Sequence, residues 1–236
     1  MHKTAVTENI TQLTRYHFVN AFFVREEDGL TLVDTAMGGD RTAVELFAAA
    51  SVDSIRRIAL THGHGDHVGS LDALKDRLGD TVEVLMPEVD ARIHAGENVV
   101  DGKLPGSWPT LRTRPDTLLT AGDRVGSLEV VASPGHTPGH VSFLDTRDRS
   151  LIAGDVYTAY GAVSVTSHFY WHFPFAAMAT WNRSLDVESA RALRALDPSV
   201  LLVGHGRVTP SPGAAMDHAI ARAGGEPVMP AVELRR

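Results

Sequence analysis

One short segment of the chain concentrates side chains that bind metal ions. The segment 61–67 reads Thr-His-Gly-His-Gly-Asp-His, which places three imidazoles and one carboxylate within a few positions. His62 and His64 are two residues apart, so on an extended backbone they project to the same side and could reach one ion. Asp66 and His67 follow at the turn into a predicted helix and must point elsewhere, which suits a second ion nearby. Without a cation, so many ionisable groups would repel one another or stay unsatisfied, and the segment therefore predicts a metal site rather than a metal-free histidine-rich loop.

Three further metal-binding groups lie later in the chain. Each of them follows an apolar run and has a glycine beside it: His136, Asp155 and His205. Polar side chains in that position are typical of ligands on loops at the ends of strands. Imidazole nitrogen and carboxylate oxygen are also the donors that first-row metals prefer, with zinc the best match. Together with the 61–67 segment, these groups predict a two-metal site.

The elements that must position these groups alternate along the chain. Predicted strands cover residues 16–24, 30–34, 55–60, 82–86, 128–132, 141–144, 151–153 and 200–203. Predicted helices cover 38–50, 68–78 ending at Gly79, a segment that ends at Asp197-Pro198, and 212–223. In the 38–50 helix, Val44, Leu46 and Phe47 are available for the core face. This alternation indicates an α/β protein with two sheets between helical layers.

Two segments lack a clear period. Residues 88–116 are rich in glycine, proline and polar residues, with Trp108 alone among them, and are predicted to form a loop over the site. Residues 157–175 are rich in aromatic side chains. The proline-containing tail after residue 223 is expected to be loosely held.

Composition limits the classes of function. The chain has 236 residues, of which 43% are hydrophobic, and is expected to form a single domain over residues 1–236. The formal charge of −7 disfavours nucleic acid as a partner. Because there is no cysteine, disulfides, cysteine-bound zinc and a thiol nucleophile are excluded. With no signal peptide or membrane-length apolar stretch, we expect a cytoplasmic protein with no membrane partner. We also expect a small-molecule substrate, with a homodimer as the candidate assembly.

These motifs resemble those of the metallo-β-lactamase superfamily of hydrolases. The resemblance runs from Asp34 through His205 and includes residues 133–140, which read Ser-Pro-Gly-His-Thr-Pro-Gly-His. It is strongest for compact bacterial members that share features with glyoxalase II and the lactonases, in which segments similar to Phe173-Pro174 and Thr180-Trp181 are also typical. The fold that this resemblance implies is a four-layer αβ/βα sandwich, with the site at the edge between the two sheets.

The resemblance also assigns the metal ligands. It implies that His62, His64 and His136 bind one metal, that Asp66, His67 and His205 bind the other, and that Asp155 bridges the two. The expected cofactor is two Zn²⁺, with iron or manganese as alternatives, and no organic cofactor is indicated. A water shared by two such cations is acidic enough to provide a bridging hydroxide at neutral pH. This predicts a metal-dependent hydrolase that attacks the carbonyl of a small ester, lactone or thioester, with Asp155 and Asp66 as catalytic residues and Asp66 relaying the proton to the leaving group.

Three more residues are candidates for supporting roles. Asp34 could hold the ring of a metal-bound histidine, although a carboxylate ahead of Gly38 could equally cap a helix. His140 could support the pocket, or be a buried histidine satisfied by the backbone. Tyr157 could touch the substrate carbonyl as a lactonase tyrosine does, or simply pack the aromatic segment onto the sandwich. It lies two residues after Asp155, where the lactonase pattern has three. The other histidines, His2, His17, His94 and His218, have no ligand context.

Several alternative functions share the same motifs. A mononuclear iron persulfide dioxygenase would use part of the same ligand set, and a β-lactam hydrolase would use all of it. Glyoxalase II itself is disfavoured because the stretch after His205 is short for its glutathione-binding region, and a nuclease is disfavoured by the negative charge. A non-catalytic metal-binding protein is a further class, but such proteins usually lose ligands and this chain keeps all seven.

Overall fold

The computed structural model of the protein describes residues 1–50 and 55–224. Its first sheet has seven strands in chain order: β1 (His2–Ala5), β2 (Ile10–Arg15), β3 (Val19–Glu26), β4 (Gly29–Val33), β5 (Ile55–Ala59), β6 (Glu83–Pro87) and β7 (Thr117–Leu119). The first four strands form an antiparallel meander, and β4 to β7 run parallel. Because parallel neighbours need crossover connections, helices follow these strands: α1 (Gly39–Ala49), α2 (Gly65–Val68), α3 (Leu71–Leu78) and α4 (Glu88–His94).

The second half of the chain builds the other sheet and a small third one. Its elements are β8 (Arg124–Val125), β9 (Leu128–Ala132), β10 (Val141–Asp145), β11 (Ser150–Ile152), β12 (Tyr157–Tyr160), β13 (Ala162–Val165), α5 (Pro174–Ala179), α6 (Arg183–Ala195), β14 (Val200–Leu202), β15 (His205–Gly206), β16 (Thr209–Pro210) and α7 (Gly213–Ala223). The second sheet has the strand order β16-β14-β11-β10-β9-β8, and the third has the order β13-β12-β15. Within the described ranges, no helix has the length and apolar character needed to cross a membrane.

The hydrophobic core lies in three layers. Between the two large sheets, Phe22 and Val33 of the first sheet pack in one cluster with Phe143 and Ile152 of the second. A second cluster joins the first sheet to α1 and α3, and a third joins the second sheet to α6 and α7. A fully buried phenylalanine such as Phe143 stabilises the fold by about 1.5–3 kcal/mol. The layers therefore run helix, sheet, sheet, helix, which confirms the predicted αβ/βα sandwich.

Strand direction brings the predicted ligands to one edge. β4 and β5 are parallel, so Asp34 and the 61–67 segment leave the sheet at the same end. β11 and β14 are also parallel, so Asp155 and His205 follow neighbouring carboxyl ends of the second sheet. His136 lies in the connection between the antiparallel strands β9 and β10.

Some local predictions were wrong. On α1, Leu46 is buried with Thr42 and Ala43, but Val44 and Phe47 are 46% and 52% exposed. The small residues Thr42 and Ala43 let this helix approach the sheet closely, so its core face carries fewer large side chains than predicted.

The boundaries of several elements also differ from the predictions. Residues 88–116 begin with helix α4, whose buried face includes Asp90, and a charged residue at a core position conceals the apolar period. The strands β1 and β2 at the amino terminus were not predicted. The predicted helix 68–78 is split into α2 and α3, although it ends at Gly79 as predicted, where the backbone has φ 69°. The tail expected to be loosely held lies after residue 224, outside the described residues.

Asp186 on α6 makes a testable contribution to stability. Its carboxylate is fully buried and accepts a hydrogen bond from the Ser167 backbone N–H at 2.9 Å. Burial raises the pKa of Asp186 to about 7, against 3.8 for the free side chain. The folded state therefore binds more protons than the unfolded state between those values, so the free energy of unfolding should fall as pH rises, by up to about 1.4 kcal/mol per pH unit.

The substitution Asp186→Asn keeps the acceptor for Ser167 and cannot ionise. Urea unfolding of both chelator-treated proteins between pH 4.5 and 8 measures the effect. The free energy of unfolding should fall less with rising pH in the variant than in the wild type. Parallel pH profiles for the two proteins would contradict the assignment.

Candidate metal centre

The structure brings all seven predicted ligand side chains together. They form two groups, and in each group the ligand atoms lie within 4.8 Å of one another: His62, His64 and His136 in one, and Asp66, His67, Asp155 and His205 in the other. The side chain of Asp66 is 32% exposed, whereas the other six residues are buried. The three ligands that are distant in sequence all point toward the 61–67 segment.

Asp155 lies between the two groups. Its Oδ2 is 3.5 Å from His136 Nε2 in the first group and 3.2 Å from His205 Nε2 in the second. Its Oδ1 is 3.4 Å from His67 Nε2. Asp66 contacts the same nitrogen of His205, with 3.1 Å between Asp66 Oδ2 and His205 Nε2. One carboxylate thus contacts both groups, which is the position a bridging ligand requires.

Unpaired polar atoms show that the site fits cations. Among the described residues, His62 Nε2, His67 Nε2 and Asp155 Oδ1 are buried and have no hydrogen-bond partner. Buried polar atoms without a partner are costly, and all three of these belong to the two candidate ligand groups. Neutral imidazole nitrogen and carboxylate oxygen are donors that zinc accepts in tetrahedral or five-coordinate sites.

Four of the five candidate ligand rings are held from their other nitrogen. The Nδ1 atoms of four histidines contact oxygen atoms outside the ligand set and leave Nε2 directed into the site. The pairs are His62 with Thr61 Oγ1 at 3.0 Å, His67 with Asp34 Oδ2 at 2.8 Å, His136 with Thr180 Oγ1 at 3.1 Å, and His205 with the Phe18 carbonyl at 3.0 Å. His64 is reversed, because its Nδ1 lies 3.0 Å from His136 Nε2. Such contacts fix the orientation of metal-binding rings before an ion arrives.

Asp34 supports a ligand ring and does not cap a helix. Its Oδ2 accepts from His67 Nδ1, and its Oδ1 accepts from the Thr61 backbone N–H at 2.8 Å. The residue is fully buried and has the left-handed φ of 62°, which is unfavourable for a side chain other than glycine and directs the carboxylate inward. The N-cap of α1 is Gly38, so the alternative interpretation of Asp34 as a helix cap is wrong.

His140 is a buried histidine satisfied by its surroundings. Its Nε2 accepts from the Asp155 backbone N–H at 3.0 Å, and its Nδ1 lies 2.9 Å from Ser133 Oγ. Because Nε2 accepts, the proton resides on Nδ1 and is donated to Ser133. His140 is therefore outside the ligand groups, and it fixes the backbone at the candidate bridging residue.

Tyr157 does not reach the site, and the interpretation of it as a substrate contact is wrong. The side chain is fully buried in the core under α6, and its hydroxyl donates to the Ala190 carbonyl at 2.7 Å. The alternation of strand β12 directs Tyr157 into that core. Tyr160, at the end of the same strand, lines the cavity at the metal centre instead.

Asp90 is a structural residue of the site that sequence reasoning missed. Its Oδ2 accepts from the Gly63 N–H at 2.8 Å and from the Thr137 hydroxyl at 2.7 Å, and its Oδ1 accepts from the Gly139 N–H at 2.7 Å. Burial raises the pKa of Asp90 to about 6, although these hydrogen bonds oppose the rise. Asp90 thus ties the 61–67 segment to the loop that carries His136. Neither spacing nor a neighbouring motif marks it in the sequence.

The electrostatics differ between the two groups. Burial lowers the pKa of His62 and His136, and it lowers that of His64 to about 4, so these three rings are neutral and ready to donate electron pairs. Burial also opposes ionisation of His205, but the carboxylates of Asp155 and Asp66 raise its pKa to about 10. The second group therefore attracts positive charge, which a divalent cation would supply in place of a proton.

A cavity of about 780 Å³ opens onto both groups. Residues 106, 107 and 109 contribute to its wall, so the 88–116 segment lies over the site as predicted. The aromatic segment 157–175 contributes Tyr160, His172, Phe173 and Phe175. Position 204 requires glycine, because a Cβ there would collide with the Asp155 carboxylate and the His67 ring.

Comparison with known proteins agrees with this geometry. Residues 14–205 match the family model described as the metallo-beta-lactamase superfamily. The chain is 40% identical over 211 residues to the uncharacterized protein YobT of Bacillus subtilis, covering 87% of this chain and 90% of YobT. It is 29% identical over 168 residues to the hydroxyacylglutathione hydrolase GloC of Haemophilus influenzae, covering 66% of this chain and 71% of GloC. A metallo-beta-lactamase from Pontibacter korlensis has the same fold, with a TM-score of 0.71, 16% identity, and coverage of 95% of this chain and 99% of that one.

The fold, the ligand clusters and the family match together define a class. The chain belongs to the metallo-beta-lactamase superfamily. Members of this superfamily are metal-dependent hydrolases, and the two clusters of His and Asp side chains in this chain imply a divalent metal.

Proposed function

We propose that the chain is a dinuclear zinc-dependent hydrolase that acts on the carbonyl of a small ester, lactone or thioester. The observation that carries this proposal is the Asp155 carboxylate, which contacts histidines of both ligand groups. A metal bound by the first group alone would leave the two carboxylates of the second group balanced only by protons on its own histidines. The similarity to GloC, whose name describes the hydrolysis of a thioester, supports the same reaction class.

Two zinc ions, when bound, would acidify a water and polarise the substrate carbonyl. The role of the chain is to hold that arrangement rigid. Thr61, Asp34, Thr180 and the Phe18 carbonyl fix the ligand rings, so little reorganisation is needed when charge develops.

Asp66 is our candidate for the proton relay. It is the one proposed ligand with a substantially exposed side chain, and it lines the cavity where a substrate would enter. Burial alone would raise its pKa, but the hydrogen bond from His205 and the charge of His67 hold the pKa of Asp66 well below its usual value. An ionised carboxylate facing the cavity can accept a proton and pass it to a leaving group.

The competing functions make different predictions. A persulfide dioxygenase would hold one iron, and a β-lactamase would open a lactam ring. Metal analysis should find close to two zinc ions per chain, and zinc-loaded protein should hydrolyse members of a panel of lactones, thioesters and aryl esters. A single tightly bound iron would overturn the proposal, and turnover of nitrocefin alone would replace it with the lactam function.

Asp34 provides a test of the ring-holding contacts. The substitution Asp34→Asn removes the charge that holds His67 but keeps the size of the side chain. We expect zinc affinity to fall about 10- to 100-fold, as is usual when a partner of a metal-bound histidine is lost. Competition with a fluorescent chelator measures this, with the exposed Asp40→Asn on α1 as the control. Unchanged affinity would mean that the Asp34 contact is structural only.

A further inference from the structure

Part of the lining of the metal-site cavity is apolar. It consists of six side chains, which we call the apolar wall: Phe18, Met37, Phe173, Phe175, Ala176 and Ala179. The wall starts at the metal centre itself, because the Phe173 ring centroid is 4.9 Å from that of His205. Phe173 also stacks on Tyr160 with 5.3 Å between centroids and 17° between planes. Phe173 thus contacts a proposed ligand, His205, on one side and the more exposed Phe175 on the other.

The outer part of this wall is exposed to solvent. Phe175 is 71% exposed and Met37 is 36% exposed. The Phe175 ring lies close to the Phe173 ring, with 6.3 Å between the two centroids. Large apolar side chains that remain exposed beside a concave site mark a surface that binds an apolar group.

The charge of the cavity lining also favours an uncharged group over an anion. Among the described residues that line it there is no lysine or arginine, and its ionisable groups are proposed metal ligands together with His172 and the Tyr160 phenol. A substrate carboxylate placed against the apolar wall would lose its hydration and gain no lysine or arginine in return. The net charge of −7 also disfavours the approach of anions.

We propose that this site selects uncharged substrates whose acyl or alcohol portion is apolar and packs on the apolar wall. The inference rests on the proposed carbonyl hydrolase function and narrows it. The wall lies beside His205 and the scissile carbonyl would lie at the metals, so the apolar portion must be a direct substituent of the scissile group. Phe175 is then a specificity-determining residue at the outer end of the wall.

Two substrate series test this on the zinc-loaded protein. In the first, p-nitrophenyl esters lengthen on the acyl side from acetate through butyrate to hexanoate, with the p-nitrophenyl half-ester of succinate as the anionic analogue. The succinate carboxylate attacks its own ester and expels p-nitrophenolate as succinic anhydride forms, so spontaneous hydrolysis is subtracted from every rate. In the second, acetate esters lengthen on the alcohol side. We expect kcat/KM to rise in at least one series, by about fourfold for each methylene that becomes fully buried and less for partial burial. The succinate half-ester should react at least tenfold more slowly than butyrate.

Two variants and a matched control locate the effect. The substitution Phe175→Ala should reduce the hexanoate-to-acetate ratio of kcat/KM, and Phe175→Lys should raise the succinate-to-butyrate ratio by bringing a cation to the rim. Trp171→Ala is the control, because Trp171 is 81% exposed in the same segment but does not line the cavity. It should leave both ratios as in the wild type, and zinc content should match in all four proteins.

The outcomes separate this inference from the proposed function. Hydrolysis that does not vary with chain length in either series, or equal rates for succinate and butyrate, would overturn the inference and leave the hydrolase standing. A length dependence that survives in Phe175→Ala but disappears in Trp171→Ala would also overturn it. Failure of the zinc-loaded protein to hydrolyse any ester, lactone or thioester would overturn both.

Discussion

Substitution of Asp155 by alanine should lower kcat/KM at least about a hundredfold. Loss of a residue that only supports a metal ligand already lowers metal affinity or activity by up to about a hundredfold, and Asp155 is proposed to bind the metals directly. The variant removes the carboxylate that contacts His136 in one group and His205 in the other. It should also bind fewer than two zinc ions per chain. Both effects follow from one cause, since the two groups would lose their shared negative charge.

The control for this experiment is Asp76→Ala on α3, where the carboxylate is exposed and pairs with Arg112 at the surface. A surface change of this kind usually alters stability by less than about 0.5 kcal/mol. Circular dichroism and thermal unfolding would show that both variants fold. If Asp155→Ala retained wild-type turnover and two zinc ions, Asp155 would not be a bridge.

The sequence predicts which side chains converge at the candidate metal centre because each of them is marked locally. Apolar strands flanked by glycine and followed by His or Asp can be read without knowing the fold. Convergence at one edge then follows from parallel strand pairs, such as β11 with β14, whose carboxyl ends deliver Asp155 and His205.

Apart from Asp34, the residues that hold the candidate ligands could not be read in the same way. Asp90, on helix α4, accepts hydrogen bonds from two loops. This helix was not predicted, because the buried carboxylate of Asp90 interrupts its apolar period. Thr180 contacts His136 across 44 residues of chain, and threonine is common in many contexts. Tyr157 shows the converse error. Its type and its distance from Asp155 suggest a substrate contact, but strand alternation decides which way a side chain points, and it points into the core.

Removal of zinc should lower the thermal stability of the protein substantially. Zinc at about a thousand times its dissociation constant stabilises the folded state by about 4 kcal/mol when the unfolded chain does not bind it. For a chain of this size that corresponds to a fall in Tm of about 8–16 °C on chelation. The effect should be large here because the buried atoms His62 Nε2, His67 Nε2 and Asp155 Oδ1 have no hydrogen-bond partner among the described residues, and bound cations would satisfy all three. Scanning calorimetry of zinc-saturated and EDTA-dialysed protein measures it.

The same experiment run at several pH values tests the charge of the second ligand group. The pKa of His205 is raised to about 10 by Asp155 and Asp66, so at neutral pH zinc must displace a proton from this ring. Each displaced proton weakens apparent zinc affinity tenfold for every unit by which pH falls, so at the same fixed concentration of free zinc the gap in Tm should narrow from pH 8 to pH 6. Magnesium, which prefers six oxygen ligands, should not restore the gap and serves as the control. Zinc bound at His205 would take the place of the proton on that ring and neutralise Asp66 and Asp155. If the Tm difference between zinc-saturated and zinc-free protein stayed constant with pH, zinc would not bind at His205.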